Sequence, residues 1–502
     1  MFPLTAPAPR AGSIPQLCTL RHSEWMTHPR DDLAKLNEVL DLARSEAGRY
    51  LAALHDSAVR PPEADTAAKA LCGPLPQQGD GALTALTELA AAGHAGAIRS
   101  AGPRFFHFVV GGATPAGLGA EWLTATLDQN VGMWAASPFG AELELIAVDW
   151  LKELFELPAD WGGLLVTGAT MANFVGLACG RRWWGLQHGV DVDNDGIASL
   201  DPMPVFSSGH IHASATKALG MLGIGRNQVR LFERDKRGRL DVEAFEAALE
   251  ALGGAPSVVI ANAGEVNAGD FDPIPQMIEI GNRHNAWIHV DGAFGLFSRV
   301  APETRSLTEG IENAHSVIAD GHKWLNVPHD CGFAFVRDKS LLGGIFGATA
   351  SYYVGGGEEQ PNFAMIGPES SRKARALAVW ATLRAYGRDG YREMVERHLA
   401  LTRRVARQVE ESDDLELLAD VILNIVSFRY RPAGVPESEL DDINSRLGDA
   451  ILADGRVYFG TTRFEGKVAF RPAIVNYRTA ERDVDLMIEV VRELGAEITA
   501  DR

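Results

Sequence analysis

The hydrophobic rhythm of the chain changes twice along its 502 residues. Near the start, behind a proline-rich tip, apolar positions in "DDLAKLNEVLDLARSEAGRYLAAL" recur at the three-to-four spacing of an amphipathic helix. Residues 1–100 therefore read as a helical arm rather than a domain with its own core. From "RFFHFVVGG" onward, short β-branched runs alternate with helical stretches: "GGLLVTGAT" with "MANFVGLACGRRWW", "SVVIANAG" with "PIPQMIEIGNRHN", then "AWIHVDGAF", "SVIAD" and "GFAFVR". Apolar strands separated by helices predict an α/β domain over 101–385, a mostly parallel sheet covered on both faces. Past "ARALAVWATLRAYGRDG" a long helix leads to "VILNIVSFRYRP", a helix near "ESELDDINSRLGDAILADG", the runs "VYFGTT" and "KVAFRPAIVN", and a last helix. That pattern predicts a smaller α+β domain over 386–502.

Composition narrows the function more than the fold. Hydrophobic residues make up 46% and charged residues 23%, ordinary for a chain that buries a large core. The net charge of −19 argues against a nucleic-acid phosphate track or an anionic membrane surface as partner. The four cysteines, Cys18, Cys72, Cys179 and Cys331, stand far apart with no CxxC pair, which suggests neither a disulfide framework nor a zinc knuckle. No stretch is long and apolar enough to span a bilayer, and the start lacks a basic flank followed by an apolar run. A cytoplasmic protein is the expectation.

Ligands of such sheets collect beyond the carboxyl ends of the strands, and there the sequence places its chemistry. In "LLVTGATMAN" a strand runs through Gly168 into a helix, so Ala169 and Thr170 offer amides and a hydroxyl suited to a phosphate; a plain N-cap explains them equally. Asp291 ends the apolar run "WIHVD", where a carboxylate needs a cation, or merely caps a loop. Lys323 follows another short strand in "ADGHKWLNVPHDCG"; one lysine by itself is a surface side chain with a buried stem. Together the three describe the needs of pyridoxal phosphate: a lysine for the Schiff base, an acid to keep the pyridinium protonated, a helix terminus for the phosphate. His212 in "GHIHASATKALGMLGIG" could stack on the cofactor ring or cap its helix. A second class also claims this region. His210 and His212, with His289, Asp291 and His322, could bind a metal in a hydrolase, although that leaves Lys323 and the "TGAT" turn without work.

The stretches "WAASPFGAELE", "TGATMAN", "HASATKALGMLGIG", "HVDGAFG", "DGHKWLNVPHDCG" and "SRKARALAVW" resemble the pyridoxal-phosphate-dependent group II amino-acid decarboxylases, which include aromatic-amino-acid and glutamate decarboxylases. The likeness runs over most of the chain. It implies the type I, aspartate-aminotransferase fold with a seven-stranded sheet, working as a homodimer with shared active sites. It makes Lys323 the cofactor lysine, Asp291 the partner of the ring nitrogen and His212 the stacking histidine, the family spacing HxSxxKA falling on His212, Ser214 and Lys217. Ala169, Thr170 and His322 become phosphate contacts, Ala293 the small residue beneath the ring, and Arg471 in "AFRPAIVN" a binder of the substrate carboxylate or a salt-bridge residue. The reaction implied is decarboxylation of an L-amino acid to the amine.

Two departures qualify the resemblance. The family tyrosine that returns a proton to the substrate carbon falls near Phe363, and in plant members phenylalanine there accompanies oxidation to an aldehyde; Tyr352 or Tyr353 could serve instead. Glu265 in "AGEVNAGDFDP" stands where relatives often carry a small hydroxyl residue. Phe106, Phe108 and Trp134 are the expected pocket walls and point to an aromatic or apolar substrate side chain, though core packing explains them as well. A carbon–carbon lyase on the same fold is the remaining alternative.

Overall fold

The computed structural model describes residues 28–347, 357 and 359–500. The chain divides into two units, Met1–Ala53 with Pro62–Ala97, and Leu54–Pro61 with Ile98–Arg502. In the first, helices Leu36–Ala52 and Ala82–Gly96 meet through His94 Nε2 and Glu46 Oε2, 2.9 Å apart, and neither helix has a buried residue.

The second unit is built on seven strands: β1 Gly162–Val166, β2 Val205–Ser207, β3 Val229–Leu231, β4 Ser257–Asn262, β5 Ala286–Asp291, β6 Ser316–Asp320 and β7 Gly332–Val336. Their order is β1-β7-β6-β5-β4-β2-β3; only β7 is reversed, running antiparallel to β1 and β6. Successive residues feed opposite layers. Val259, Ala261, Ile288, Val290, Val317 and Ala319 enter one apolar cluster, while Val258, Ile260, Trp287 and Ile318 enter another. Period-2 side-chain alternation with both faces apolar is why these strands read as continuous hydrophobic runs. The three-residue strands β2 and β3 were not foreseen, being too short to show a period. Nor does "RFFHFVVGG" form a strand: Phe105 makes a single bridge to Tyr458, and Phe108 and Val109 adopt left-handed φ of 57° and 59°.

A second sheet of order β10-β11-β9-β8 lies in the last hundred residues, with β8 Leu415–Leu417, β9 Phe428–Tyr430, β10 Thr461–Phe464 and β11 Lys467–Phe470, all antiparallel. Helix Ala376–Glu410 passes the expected domain border at 385 and breaks at Gly387, whose φ is 61°. Two quoted motifs serve this packing. Arg372 of "SRKARALAVW" pairs with Glu144 of "WAASPFGAELE", Nη2 to Oε1 2.7 Å, both fully buried, and Arg375 bonds Asp330 at 2.8 Å. Glu144 also accepts the Leu165 amide at 2.9 Å and Arg372 Nη2 donates to Leu165 O at 2.5 Å, so both buried charges have hydrogen bonds beyond the pair itself.

Candidate functional site

The sheet register brings the chemistry to one edge. Asn262 ends β4 beside Asp291 at the end of β5, while Asp320 ends β6 opposite Gly332 at the start of β7, which also faces Val166 at the end of β1. Beyond these ends opens a cavity of about 470 Å³ whose lining includes Thr170, His212, Asp291, Ala293, Lys323 and Arg471. That volume lies within the range of small-molecule sites. Among the described residues no group of three His, Cys, Asp or Glu side chains is placed to hold a metal: His212 turns to Ser214, His210 to Asp272 and His289 to Ser316.

Lys323 is only 15% exposed in its side chain, and its Nζ sits 3.2 Å from Asp320 Oδ2. Asp320 answers the question of how an ammonium tolerates this depth, and the sequence reading missed it although it closes the run "SVIAD". Its Oδ1 also accepts the amide of Ala169 at 2.5 Å and lies 3.6 Å from His322 Nε2. One helix-terminal donor expected to face a phosphate is thus committed to a carboxylate. Gly168 has no side chain to cap the helix Ala169–Gln187, so the amides of Thr170 and Met171 remain without an acceptor among the described residues, at the cavity wall.

Asp291 is 5% exposed and accepts the Ala293 amide at 3.1 Å and the Asn173 side-chain amide at 2.8 Å. His212 caps helix Ala213–Met221 through Nδ1, which accepts the Ser214 amide at 3.2 Å and meets Ser214 Oγ at 2.7 Å. Burial lowers its pKa, against the pull of Asp291 and with the help of Lys323 and Arg471, so the ring is neutral. His322 is lowered by burial too. His210 goes the other way. Burial opposes its charge, but Asp272, with an oxygen 3.3 Å from Nδ1, outweighs it together with Glu265 and Asp270 and raises the pKa. Arg471 is half-buried at the cavity and donates to Val266 O at 3.2 Å; burial lowers its pKa despite the opposing pull of Glu265.

Not every expected wall residue reaches the cavity. Phe108 does. Phe106 is 1% exposed in the core of the C-terminal sheet with Phe428 and Phe470, because the left-handed turn at Phe108 and Val109 sends the neighbours apart. Trp134 packs beside the cluster of Leu164 and Val166 instead of lining the cavity. Phe363 is fully buried in that same cluster, 4.8 Å below the Arg372 guanidinium, so a shielded core position, not a loop tip, is its place. Tyr352 and Tyr353 lie outside the described residues.

The pyridoxal-dependent decarboxylase conserved domain matches residues 75–431, well over half of the chain. The chain belongs to that family. An L-2,4-diaminobutyrate decarboxylase of Rhizobium meliloti (strain 1021) is 31% identical over 438 residues, 85% of this chain and 84% of the relative. An aromatic-L-amino-acid decarboxylase of Bacillus atrophaeus is 28% identical over 404 residues, 79% of this chain and 82% of the relative. The structure of Oryza sativa TDC with PLP and tryptamine superposes with a TM-score of 0.86 at 23% identity, covering 94% of this chain and all of that one, and so shares the fold. This pyridoxal-dependent decarboxylase has the type I fold, takes pyridoxal phosphate as cofactor and is a carboxy-lyase of amino acids. Among its described residues no helix is long and apolar enough to cross a membrane.

Proposed function

We propose that this decarboxylase converts an L-amino acid to its amine and carbon dioxide, with Lys323, Asp291, His212 and Thr170 as the residues that hold pyridoxal phosphate. The observation that carries the reading is their convergence on one cavity from four separate strand ends and turns. The donor set suits the cofactor: a primary amine for its aldehyde, a carboxylate for its ring nitrogen, a neutral imidazole for its face, and unpaired helix-terminal amides for its phosphate. Bound there, pyridoxal phosphate supplies the electron sink that decarboxylation needs. Asp291 holds the proton on the ring nitrogen, Ala293 keeps the space beside it small, and His322 stands with Asp320 on the phosphate side. Arg471, with donors left beyond its bond to Val266, orients the substrate carboxylate.

Glu265 favours a substrate whose side chain ends in an amino group over the aromatic or apolar one expected from sequence. Glu265 is 6% exposed and lines the cavity, its carboxylate pinned by the amides of Asn267 at 2.8 Å and Ala268, whereas Phe108 is 60% exposed. An inward anion selects a cationic side chain more strongly than an outward ring selects an aromatic one. The working unit in this reading is a homodimer, because helix Pro115–Leu127 buries Gly117, Ala120 and Thr124 but leaves Trp122, Leu123 and Leu127 exposed.

The test is a product assay in air with the cofactor-loaded protein, offering L-2,4-diaminobutyrate and aromatic L-amino acids, with mass spectrometry of products and an oxygen electrode. An amine formed without oxygen uptake is expected, fastest from the diamino acid, and Lys323→Ala should remove both product and the visible absorbance of bound cofactor. An aldehyde with oxygen consumed would overturn the amine reading, and absorbance that survives Lys323→Ala would overturn the lysine's role.

A further inference from the structure

Asn173 was no candidate in the sequence, yet its side chain makes three hydrogen bonds that tie the ends of the site's elements together. It sits one turn beyond Thr170 on helix Ala169–Gln187 and is fully buried. Its Nδ2 donates to Asp291 Oδ2 at 2.8 Å and to Ser214 Oγ at 3.1 Å, and its Oδ1 meets His289 Nε2 at 2.8 Å. We propose that Asn173 is the positioning residue that fixes Asp291 and His212 together, keeping the first an acceptor and the second in a single tautomer for the cofactor ring.

The donors and acceptors follow from the Trp287 indole and from the orientation of the Asn173 amide, whose Nδ2 faces Asp291. Trp287 Nε1 can only donate, and its partner at 3.2 Å is Ser316 Oγ. Ser316 in turn lies 2.8 Å from His289 Nδ1. Burial pushes the His289 pKa down to about 4, so the ring carries one proton. With Asn173 Oδ1 able only to accept, that proton is on Nε2, and the serine hydroxyl donates to Nδ1. The Asn173 amide then gives one hydrogen to Asp291 and the other to Ser214. Ser214, having accepted, donates its own hydrogen to His212 Nδ1, which also accepts the Ser214 backbone amide. His212 is left with its proton on Nε2. Every hydrogen in this chain points from β5 and β6 towards Asp291 or His212, and each bond strengthens the next. Asp291 thereby receives a side-chain donor and a backbone donor, which orient its carboxylate as an acceptor for the ring nitrogen.

This inference rests on the reading that Asp291 faces the ring nitrogen, and the experiment separates the two. The full-length protein stripped of cofactor is titrated with pyridoxal phosphate and with its 1-deaza analogue, which has carbon in place of the ring nitrogen. Asn173→Ala should weaken pyridoxal phosphate binding about tenfold to a hundredfold, the scale of a lost hydrogen bond to a charged group, and leave the analogue's affinity unchanged. Asn173→Asp, which sets a second acceptor against Asp291, should behave in the same direction and more strongly. Asp291→Ala is the control: if it weakens both ligands alike, the reading of Asp291 fails. If Asp291→Ala discriminates between them but Asn173→Ala weakens both equally or neither, Asn173 is structural only and the proposal is overturned. Should Asn173→Ala not fold by circular dichroism, Asn173→Ser, which keeps a small donor, replaces it and is expected to lose less affinity for pyridoxal phosphate than the aspartate variant; an equal or greater loss would count against the proposal.

Discussion

His289 and His398 are both fully buried and both neutral, and each is held so by donors and acceptors that leave no room for a second proton. His398 Nδ1 accepts the Trp324 indole N–H at 2.8 Å while Nε2 donates to Asn476 O at 3.0 Å. Burial first, then Arg397, pushes its pKa down to about 3, and burial takes His289 to about 4 against the pull of Asp291. An unfolded histidine titrates near pH ~6.5. Because the folded values are lower, the unfolded chain takes up protons first on acidification, so the stability these rings contribute is complete above about pH 6.5 and is lost as pH falls towards 4 and 3. Between pH 7 and pH 5, still above the carboxylate range, each ring should remove about 2 kcal/mol. Urea midpoints at the two pH values measure this, and His398→Gln should make the fall shallower; equal midpoints for the native chain would contradict it.

The lysine turn is held from outside by a stretch the sequence reading named only as a pocket wall. Gly111 of the "FFHFVVGG" loop donates its amide to His322 O at 3.2 Å, and a Cβ placed there would lie 1.8 Å from Lys323 O and 2.9 Å from Asn326 Nδ2. Asn326 in turn has φ 57°, donates to Val475 O at 2.9 Å and accepts the Tyr477 amide at 3.0 Å. Since the obstruction at Gly111 is backbone, no rotamer relieves it, and Gly111→Ala should cost at least the 1–3 kcal/mol, roughly, of an overpacked core. The check is thermal melting together with the visible absorbance of bound cofactor: both should fall, and a variant that melts and absorbs like the parent would show that the loop yields freely. The same element explains what sequence could and could not tell. Strands of five or six residues, apolar on both faces, were visible, as were Thr170, His212, Asp291 and Lys323, because each ends a local strand or turn signal. Asn173 and Asp291 are 118 residues apart and meet only through the fold, so no local period marks their bond. Phe106 and Phe108 look alike in the sequence, and only the left-handed backbone between loop and sheet decides which one faces the cavity.

At the scale of the whole molecule, helix Pro115–Leu127 carries apolar residues on more of its circumference than its own fold uses. Its small residues Gly117, Ala120 and Thr124 let it pack closely against helix Ala376–Glu410. On the other side Leu123 and Leu127, one turn apart, are 59% and 47% exposed, with Trp122 beside them at 42%. Single exposed leucines are ordinary, but two stacked on one helix face beside a tryptophan form a patch that water does not favour. In a twofold dimer the same patch serves on both subunits, so every substitution is felt twice. Replacing Leu123 and Leu127 with glutamate should therefore remove about 6 kcal/mol of association, at roughly 1.5 kcal/mol for each leucine, which is about four orders of magnitude in dissociation constant. The chain's net charge of −19 adds repulsion in the same direction once the apolar contact is gone. Sedimentation equilibrium should show a dimer for the native chain and a monomer for the double variant. Decarboxylation should fall with the dimer fraction, because the exposed ring of Phe108 leaves the cavity open on one subunit alone. A variant that sediments as the native protein does would move the interface elsewhere on the surface, and a monomer with full activity would show that each cavity is complete within one chain.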